Sequence, residues 1–372
     1  MNIKKIFRGL EGVVVDNTKL SEVNGEIGQL TYMGYDIDEI VKCQFEEVCY
    51  LFLYGKLPNI NEFNEFNILL KSKRFISNRI IDFIKDASSN THPMSVLRTS
   101  ISMLSSELNG LGSIKKDDLI NNAIDLIAKT STICAIICRS KLKKEIIHPN
   151  EELNHSENFL NMVFDKPKAM GNAFNTALIL HIDHGFNAST FTSRVVASTL
   201  SDIVSSVTAA VGSLKGPLHG GANVSVMKML LEIENLENVE KWLNNALAKK
   251  EKIMGFGHRV YKVIDPRAKH LKIMSHEWGK LTNNTKWFEI SDLLEKLVYD
   301  KKKLYPNVDF YSASTYYSMG FPFDTYTLIF ALARIVGWSS HIIEQLTNNR
   351  IIRPKAHYIG GYGKKFIPLK ER

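Results

Sequence analysis

Ser213-Leu-Lys-Gly-Pro-Leu-His-Gly-Gly221 decides how the rest of the chain is read. It is a glycine-flanked turn between two apolar-periodic runs, Ser193–Leu214 before it and Ala222–Glu234 after it, and the spacing of each predicts a helix. It also presents His219 just as the second helix begins. The unpaired N–H groups and the macrodipole at a helix N-terminus disfavour another positive charge, so the imidazole is expected to stay neutral and to donate a hydrogen bond. A histidine that caps the turn is the alternative reading of the same residues.

Helical periodicity extends outward from this turn in both directions. Phe45–Tyr54 reads as a compact buried helix stopped by Gly55 and Pro58, and His92-Pro93-Met94 opens another through Leu108. Further helices are expected over Asp36–Ile40, Asp117–Cys138, Asn158–Phe164, Met170–His184 and Asp324–Leu346. Strand signals are confined to the start. They are Val13–Val15, then Val23-Asn24-Gly25-Glu26 leading into Gln29–Tyr32, where the Asn-Gly pair predicts a hairpin. The expected fold class is therefore all-α with a short N-terminal β-hairpin. The charge-rich helices from Leu231 to Leu304 read as a smaller domain set into a larger one, with 1–220 and 321–372 in the large domain and 221–320 in the small domain.

The 372 residues are 44% hydrophobic and 23% charged, the composition of a globular protein long enough for two domains. The longest apolar run, Leu328–Val336, is interrupted by Arg334 and too short for a bilayer, so no membrane span is expected. The basic N-terminus has no apolar signal core, and a cytoplasmic protein is expected. Cys43, Cys49, Cys134 and Cys138 predict buried reduced thiols, because Cys134-x3-Cys138 fits one apolar helix face better than a metal knuckle. The formal charge of +8 is scattered over lysines without an aromatic-interleaved basic stripe. That argues against a nucleic-acid partner and suits small anionic substrates.

Two loops add chemistry to His219. Met254-Gly-Phe-Gly-His-Arg-Val-Tyr-Lys-Val-Ile-Asp-Pro-Arg267 places His258 in a glycine-loosened loop among basic residues, and Tyr305-Pro-Asn-Val-Asp-Phe-Tyr311 places Asp309 in an apolar, aromatic setting. In His181-Ile-Asp-His184 the two histidines share a helix face at a metal-ligand spacing, which leaves a zinc hydrolase open as the weakest alternative. No third ligand matches, so a polar helix end facing the His219 cleft is preferred and no metal is expected. There is no dinucleotide fingerprint, P-loop or Gly-x-Ser-x-Gly elbow. One carboxylate with two histidines fits carbon-acid chemistry: Asp309 as general base, neutral His219 donating to an enol oxygen as it forms. His258, with Arg259 and Lys262 nearby, would polarise a carbonyl, and Arg267, Arg334 and Arg353 would grip carboxylates. Arg334, set in an apolar run, is expected to meet an anion, either a ligand or an internal carboxylate.

Gly-Pro-Leu-His-Gly-Gly-Ala-Asn (216–223), Gly-Phe-Gly-His-Arg-Val-Tyr-Lys-x-x-Asp-Pro-Arg (255–267), Pro-Asn-Val-Asp-Phe-Tyr-Ser (306–312) and Ile-Arg-Pro (352–354) resemble citrate synthases of the short, prokaryotic type. The likeness runs nearly end to end and includes Leu53-Tyr-Gly-Lys-Leu-Pro58 and His92-Pro-Met-x-x-Leu-Arg98. It implies a two-domain helical homodimer whose small domain closes over oxaloacetate to complete the acetyl-CoA site, with acetyl-CoA a substrate and no further cofactor. By the same resemblance, Asp309 takes the methyl proton, His219 stabilises the enol and His258 activates the oxaloacetate carbonyl. His184 and Asn187 help hold oxaloacetate, Arg267 and Arg334 bind its carboxylates, and Arg353 reaches the neighbouring subunit's site. Lys252, Ile253, Met254, Gly255, Phe256 and Gly257 resemble the strip that reads the CoA adenine, and Lys262 a contact to the CoA phosphates. The chain departs from the pattern at Gly185, where Glu is expected, at Val224, where an acidic or amide residue is expected, and at Met33, where Arg or Gly is expected. The rivals are a 2-methylcitrate synthase using propionyl-CoA and a non-catalytic ligand-binding relative.

Overall fold

The computed structural model describes residues 6–165 and 171–372. Three antiparallel strands open the fold in the order β1 (Ser21–Asn24), β2 (Gln29–Tyr32), β3 (Tyr35–Asp36), with Val23 opposite Leu30 and Thr31 opposite Asp36. Sixteen α-helices follow among the described residues. They are α1 (Ile37–Ile40), α2 (Phe45–Tyr54), α3 (Ile60–Ser72), α4 (Asn78–Ala87), α5 (Pro93–Met103), α6 (Lys116–Lys141), α7 (His155–Phe164) and α8 (Gly171–His181). After them come α9 (Ala188–Ala197), α10 (Ile203–Leu214), α11 (Ala222–Ile233), α12 (Val239–Ala248), α13 (Pro266–Leu281), α14 (Lys286–Lys302), α15 (Val308–Ser318) and α16 (Tyr326–Thr347). The fold is all-α with a small sheet, as the periodicity implied.

Side chains write many of the helix starts. Asn59 caps α3 by accepting from Asn61 and Glu62 N–H, while Glu62 accepts from Asn59 N–H, a reciprocal capping box. In α5 the His92 ring accepts from Met94 N–H and Pro93 fills the first position, where no N–H is needed. The core is organised around α16, which is buried on every side from Tyr326 to Gly337 and packs against α6, α8, α9 and α10. A helix apolar all round has no solvent face to offer.

Three expectations change. Ser193–Leu214 is two helices: the chain turns at Leu200 (φ +64°), and Asp202 starts α10 by accepting from Ser205 N–H at 2.9 Å. Val13–Val15 pairs with no strand among the described residues, and Val14 is 88% exposed. The expected Met170–His184 helix stops at His181, and Met170 lies outside the described residues. In addition, α6 and the segment Phe323–Thr347 around α16 are long and apolar enough to cross a bilayer, contrary to the expectation above, and both are buried in the core. The four cysteines are free, three of them buried and Cys43 half-buried.

The sheet braces the chain after α8. Tyr32 donates its hydroxyl to Ile179 O at 3.0 Å, and Ser21 Oγ accepts from Gly185 N–H at 3.0 Å while donating to Asp183. Asp183 also pairs with His341 on α16 at 3.2 Å. Gly185 adopts φ +59°, a left-handed conformation that strains other residues, so a glycine suits this turn where the resemblance led to Glu. Met33 likewise has φ +49°, which accounts for glycine as one of the residues expected there.

Candidate active site

His219 sits in a tight turn in which its N–H donates to Gly216 O at 2.9 Å and Gly220 N–H to Leu214 O at 3.0 Å. A Cβ on Gly220 would fall 2.3 Å from that Leu214 oxygen, so the turn excludes a side chain there. The helix terminus acting on the imidazole is that of α9, not the α11 that follows it in sequence. Nε2 accepts from Ser189 N–H at 3.3 Å, in the first turn of α9, and lies 2.8 Å from Ser189 Oγ. A ring nitrogen that accepts from a backbone N–H carries no proton, so the neutral ring keeps its proton on Nδ1. Burial, reinforced by Arg334, lowers the His219 pKa to about 4.

His258 has the opposite tautomer. Its Nδ1 accepts from Val260 N–H at 3.0 Å and Tyr261 N–H at 3.1 Å, which leaves Nε2–H to donate. Burial, then Arg267, lowers its pKa to about 4. The hairpin steadies this loop from outside: Lys262 N–H donates to Gly25 O at 2.9 Å and Lys262 Nζ pairs with Glu26. The His184 and His258 rings are 5.2 Å apart, with the Tyr261 hydroxyl 3.1 Å from His184 Nε2. Burial, Arg267 and His258 hold the His184 pKa well below its ordinary value.

Asp309 is the second residue of α15, where its N–H donates to Asn307 Oδ1 at 3.0 Å. Burial raises its pKa to about 6, while Arg267 and Arg334 pull it down and Asp265 pushes it up. Arg267 and Arg334 are both buried. Arg267 is engaged by Asp265 at 2.8 Å. Arg334 donates from Nε to His181 O at 2.8 Å and lies 4.6 Å from the Phe330 ring centroid. No carboxylate within ion-pair distance meets Arg334 among the described residues, and burial lowers its pKa to about 10. Of the two anions open for this guanidinium, the internal carboxylate is therefore not the one found.

Among the described residues the strip Ile253–Gly257 is paired on one edge, by Tyr305–Asn307. Phe256 bridges Pro306, Gly257 N–H donates to Tyr305 O, and Asn307 N–H donates to Gly255 O, the last two at 2.9 Å. The hydrogen bonds on this edge come from Gly255 and Gly257, so the N–H and C=O of Phe256 point to the other side. Lys252 and Lys262 are exposed. Asn187 is spent on capping α9: its amide oxygen accepts from Thr190 N–H and Ser189 Oγ, and its nitrogen donates to Thr190 Oγ1 and Gly185 O. Arg353 is exposed on the tail after α16. His181 is buried with Nδ1 2.7 Å from Ala177 O, and among the described residues no three His, Cys, Asp or Glu side chains are grouped to hold a metal.

Ser189, Tyr261, Asp265 and Asn307, which carry no role in the sequence motifs, all touch site residues. For Asp265 and Asn307 a signal existed, since Asp-Pro and Asn-x-Asp are helix N-cap signatures. The buried neutral histidines also make stability pH-dependent. His155 and His181 are lowered to about 3, His219 and His258 to about 4, and His184 well below normal, with burial the leading cause of each. A depressed histidine pKa gives stability that is present above its unfolded value, about 6.5, and lost as pH falls through the folded value. Asp309 and Glu46, both raised, act in the opposite sense. The urea midpoint is therefore expected to fall as pH drops from 7 towards 4, and a flat profile would contradict the neutral-histidine assignment.

The all-α fold thus gathers neutral histidines, a buried carboxylate and buried arginines, an arrangement suited to acid–base chemistry on an anionic substrate. A family profile described as "Citrate synthase, C-terminal domain" matches residues 9–355, and the chain belongs to the citrate synthase family. It is 48% identical to "Citrate synthase 2" of Bacillus subtilis, covering 98% of this chain and 99% of that protein. It is 38% identical to "2-methylcitrate synthase 1" of Corynebacterium glutamicum, with both chains fully covered. Among solved structures, the citrate synthase of Thermoplasma acidophilum in ternary complex with carboxymethyl coenzyme A and oxaloacetate superposes with a TM-score of 0.93 at 35% identity, covering 100% of each chain.

Proposed function

We propose that this chain condenses acetyl-CoA with oxaloacetate to give citrate and CoA through an enol intermediate. The observation that carries the reading is the pair of opposite tautomers: backbone N–H groups occupy Nε2 of His219 and Nδ1 of His258, so each neutral ring has one N–H left to donate. Asp309 removes the methyl proton, Nδ1–H of His219 meets the enol oxygen, and Nε2–H of His258 polarises the oxaloacetate ketone. Arg334 and Arg267 receive the carboxylates, beside His184. Asn187 helps hold oxaloacetate from the turn it builds before α9. Citryl-CoA is then hydrolysed in the same site, without a metal.

The free edge at Phe256, with Lys252, Ile253, Met254, Gly255 and Gly257 in the same strip, reads the CoA adenine, and Lys262 exchanges Glu26 for a CoA phosphate. Residues 221–320 form the small domain, supported by the packing of α11, α13 and α14 on α15, and this domain closes over the substrates. The working unit is a homodimer in the cytoplasm, with Arg353 entering the neighbouring site. Its support is an exposed apolar tail, in which Ile359, Tyr362 and Phe366 are 87%, 82% and 85% exposed.

The test is release of free CoA thiol with oxaloacetate and either acetyl-CoA or propionyl-CoA, without added metal, alongside sedimentation to fix the oligomer. Dominant acetyl-CoA turnover by a dimer is expected. A propionyl-CoA preference in kcat/KM would move the assignment to 2-methylcitrate synthase, a reading favoured by the Corynebacterium relative. One methylene is worth only about 1–3 kcal/mol of discrimination. No release from either thioester would sink catalysis in favour of a binding protein, and a fully active monomer would sink the part given to Arg353.

A further inference from the structure

The catalytic reading leaves one buried carboxylate in the cleft without a part. Asp265 is 1% exposed and accepts four hydrogen bonds. Oδ1 takes Arg267 N–H and Arg267 Nε, both at 3.0 Å, while Oδ2 takes Arg267 Nη2 at 2.8 Å and Val308 N–H at 3.2 Å. The first of these caps α13, and the last holds the first residue of α15, immediately before Asp309. A single side chain therefore joins the helix start that carries Arg267 to the helix start that carries Asp309.

We propose that Asp265 is a positioning residue for the condensation: its carboxylate aims Arg267 at the substrate and fixes the first turn of α15 beneath Asp309. This rests on the roles given above to Arg267 and Asp309. A guanidinium has five N–H donors in a rigid fork, and Asp265 occupies the Nε edge, so the Nη1 side is presented in one orientation. Such bracing holds a binding group to the geometry its ligand needs. Asp265 also balances charge. The groups facing Asp309 are Arg267 and Asp265 at the start of α13, Arg334 on α16 and Tyr316 on α15 itself. Without Asp265 two buried guanidinium groups act on Asp309 unopposed and weaken it as a base. Burial alone would raise the Asp265 carboxyl, but Arg267 holds it below the ordinary range, so it stays ionised where the enzyme works.

Asp265→Asn in the full-length protein tests this by two routes. Carbon-13 NMR of the ligand-free protein, with the Asp309 signal assigned through Asp309→Asn, is expected to show Asp309 titrating at lower pH in the Asp265→Asn variant than in the wild type. Steady-state kinetics are expected to show the acid limb of kcat moving the same way and the oxaloacetate KM rising by about 10- to 100-fold, the worth of a charged hydrogen-bonded pair. Asp265→Glu keeps the charge but displaces it by a methylene, so the Asp309 titration stays near the wild-type value while KM still rises. A lower unfolding temperature with wild-type titration and wild-type KM would overturn the proposal. Should Asp265→Asn fail to fold, a wild-type oxaloacetate KM in Asp265→Glu overturns it instead. The NMR readout needs no turnover, so a wild-type protein that released no CoA would sink the functional reading without deciding the Asp309 titration.

Discussion

Asp309→Asn is expected to lower turnover by about 100- to 10,000-fold, the range that a positioned general base supplies, while oxaloacetate still binds. Asparagine keeps the shape of the side chain and the backbone bond to Asn307, so α15 starts as before. What is lost is an acceptor able to take the proton. The wild-type carboxylate is well tuned for that task, because burial lifts its pKa to about 6 and a base near the working pH combines ionisation with proton affinity. Only the ionised form acts, so wild-type kcat/KM for acetyl-CoA should rise with pH through about 6, and this limb should vanish in the variant. Calorimetry with oxaloacetate separates lost chemistry from lost binding. A variant that keeps turnover within tenfold of the wild type would remove Asp309 from the mechanism.

Much of this candidate site is legible in the chain because the residues proposed for it sit in short, continuous loops. His219, His258 and Asp309 each fall in a stretch whose glycines, prolines and aromatics stand out from the surrounding helical pattern, and the elements around them follow local capping rules. α2 runs from Phe45 to Tyr54 because Glu47 accepts from Gln44 N–H at its start and Gly55 turns left-handed at its end. The misplaced elements are those whose outcome depends on distant partners. Val13–Val15 has strand propensity but no neighbouring strand, and the break at Leu200 is hidden in a sequence whose apolar spacing continues across it.

The same distinction separates residue identity from residue role. His219 was expected to feel the helix that follows it, yet its ring touches the N-terminus of α9, 30 positions earlier in sequence. That contact needs the α10 turn to bring the loop back onto α9, which no local rule contains. Asn187, which the resemblance places at the substrate, also builds the turn before α9 with both ends of its amide. Arg267, which the resemblance gives to a substrate carboxylate, bonds Asp265 through two of its three guanidinium nitrogens and keeps the third. Side-chain hydrogen bonding decides which atoms of a polar group remain available, and periodicity is silent on that choice.

Arg334→Met is expected to separate catalysis from stability, moving them in opposite directions. Arg334 is 1% exposed on the fully buried part of α16, and among the described residues it has one hydrogen bond, a cation–π contact and no ion pair. Burial already lowers its pKa to about 10, which means the charge is held at a cost. Methionine fills most of the same volume without that charge, and exchanges of buried charges for apolar groups of similar volume are often neutral or stabilising by about 1–4 kcal/mol. The urea midpoint is therefore expected to hold or rise. Catalysis should fall, because the guanidinium meets no carboxylate at ion-pair distance among the described residues and acts on His184, His219 and Asp309 alike. Losing a buried charge pair with a substrate carboxylate costs about 2–5 kcal/mol, so kcat/KM for oxaloacetate should drop by at least roughly 30-fold. Oxaloacetate should then no longer raise the melting temperature, as it does by mass action when it binds the native state. A variant that is much less stable yet keeps its oxaloacetate KM would show that Arg334 belongs to the core, and the carboxylate would have to be received elsewhere.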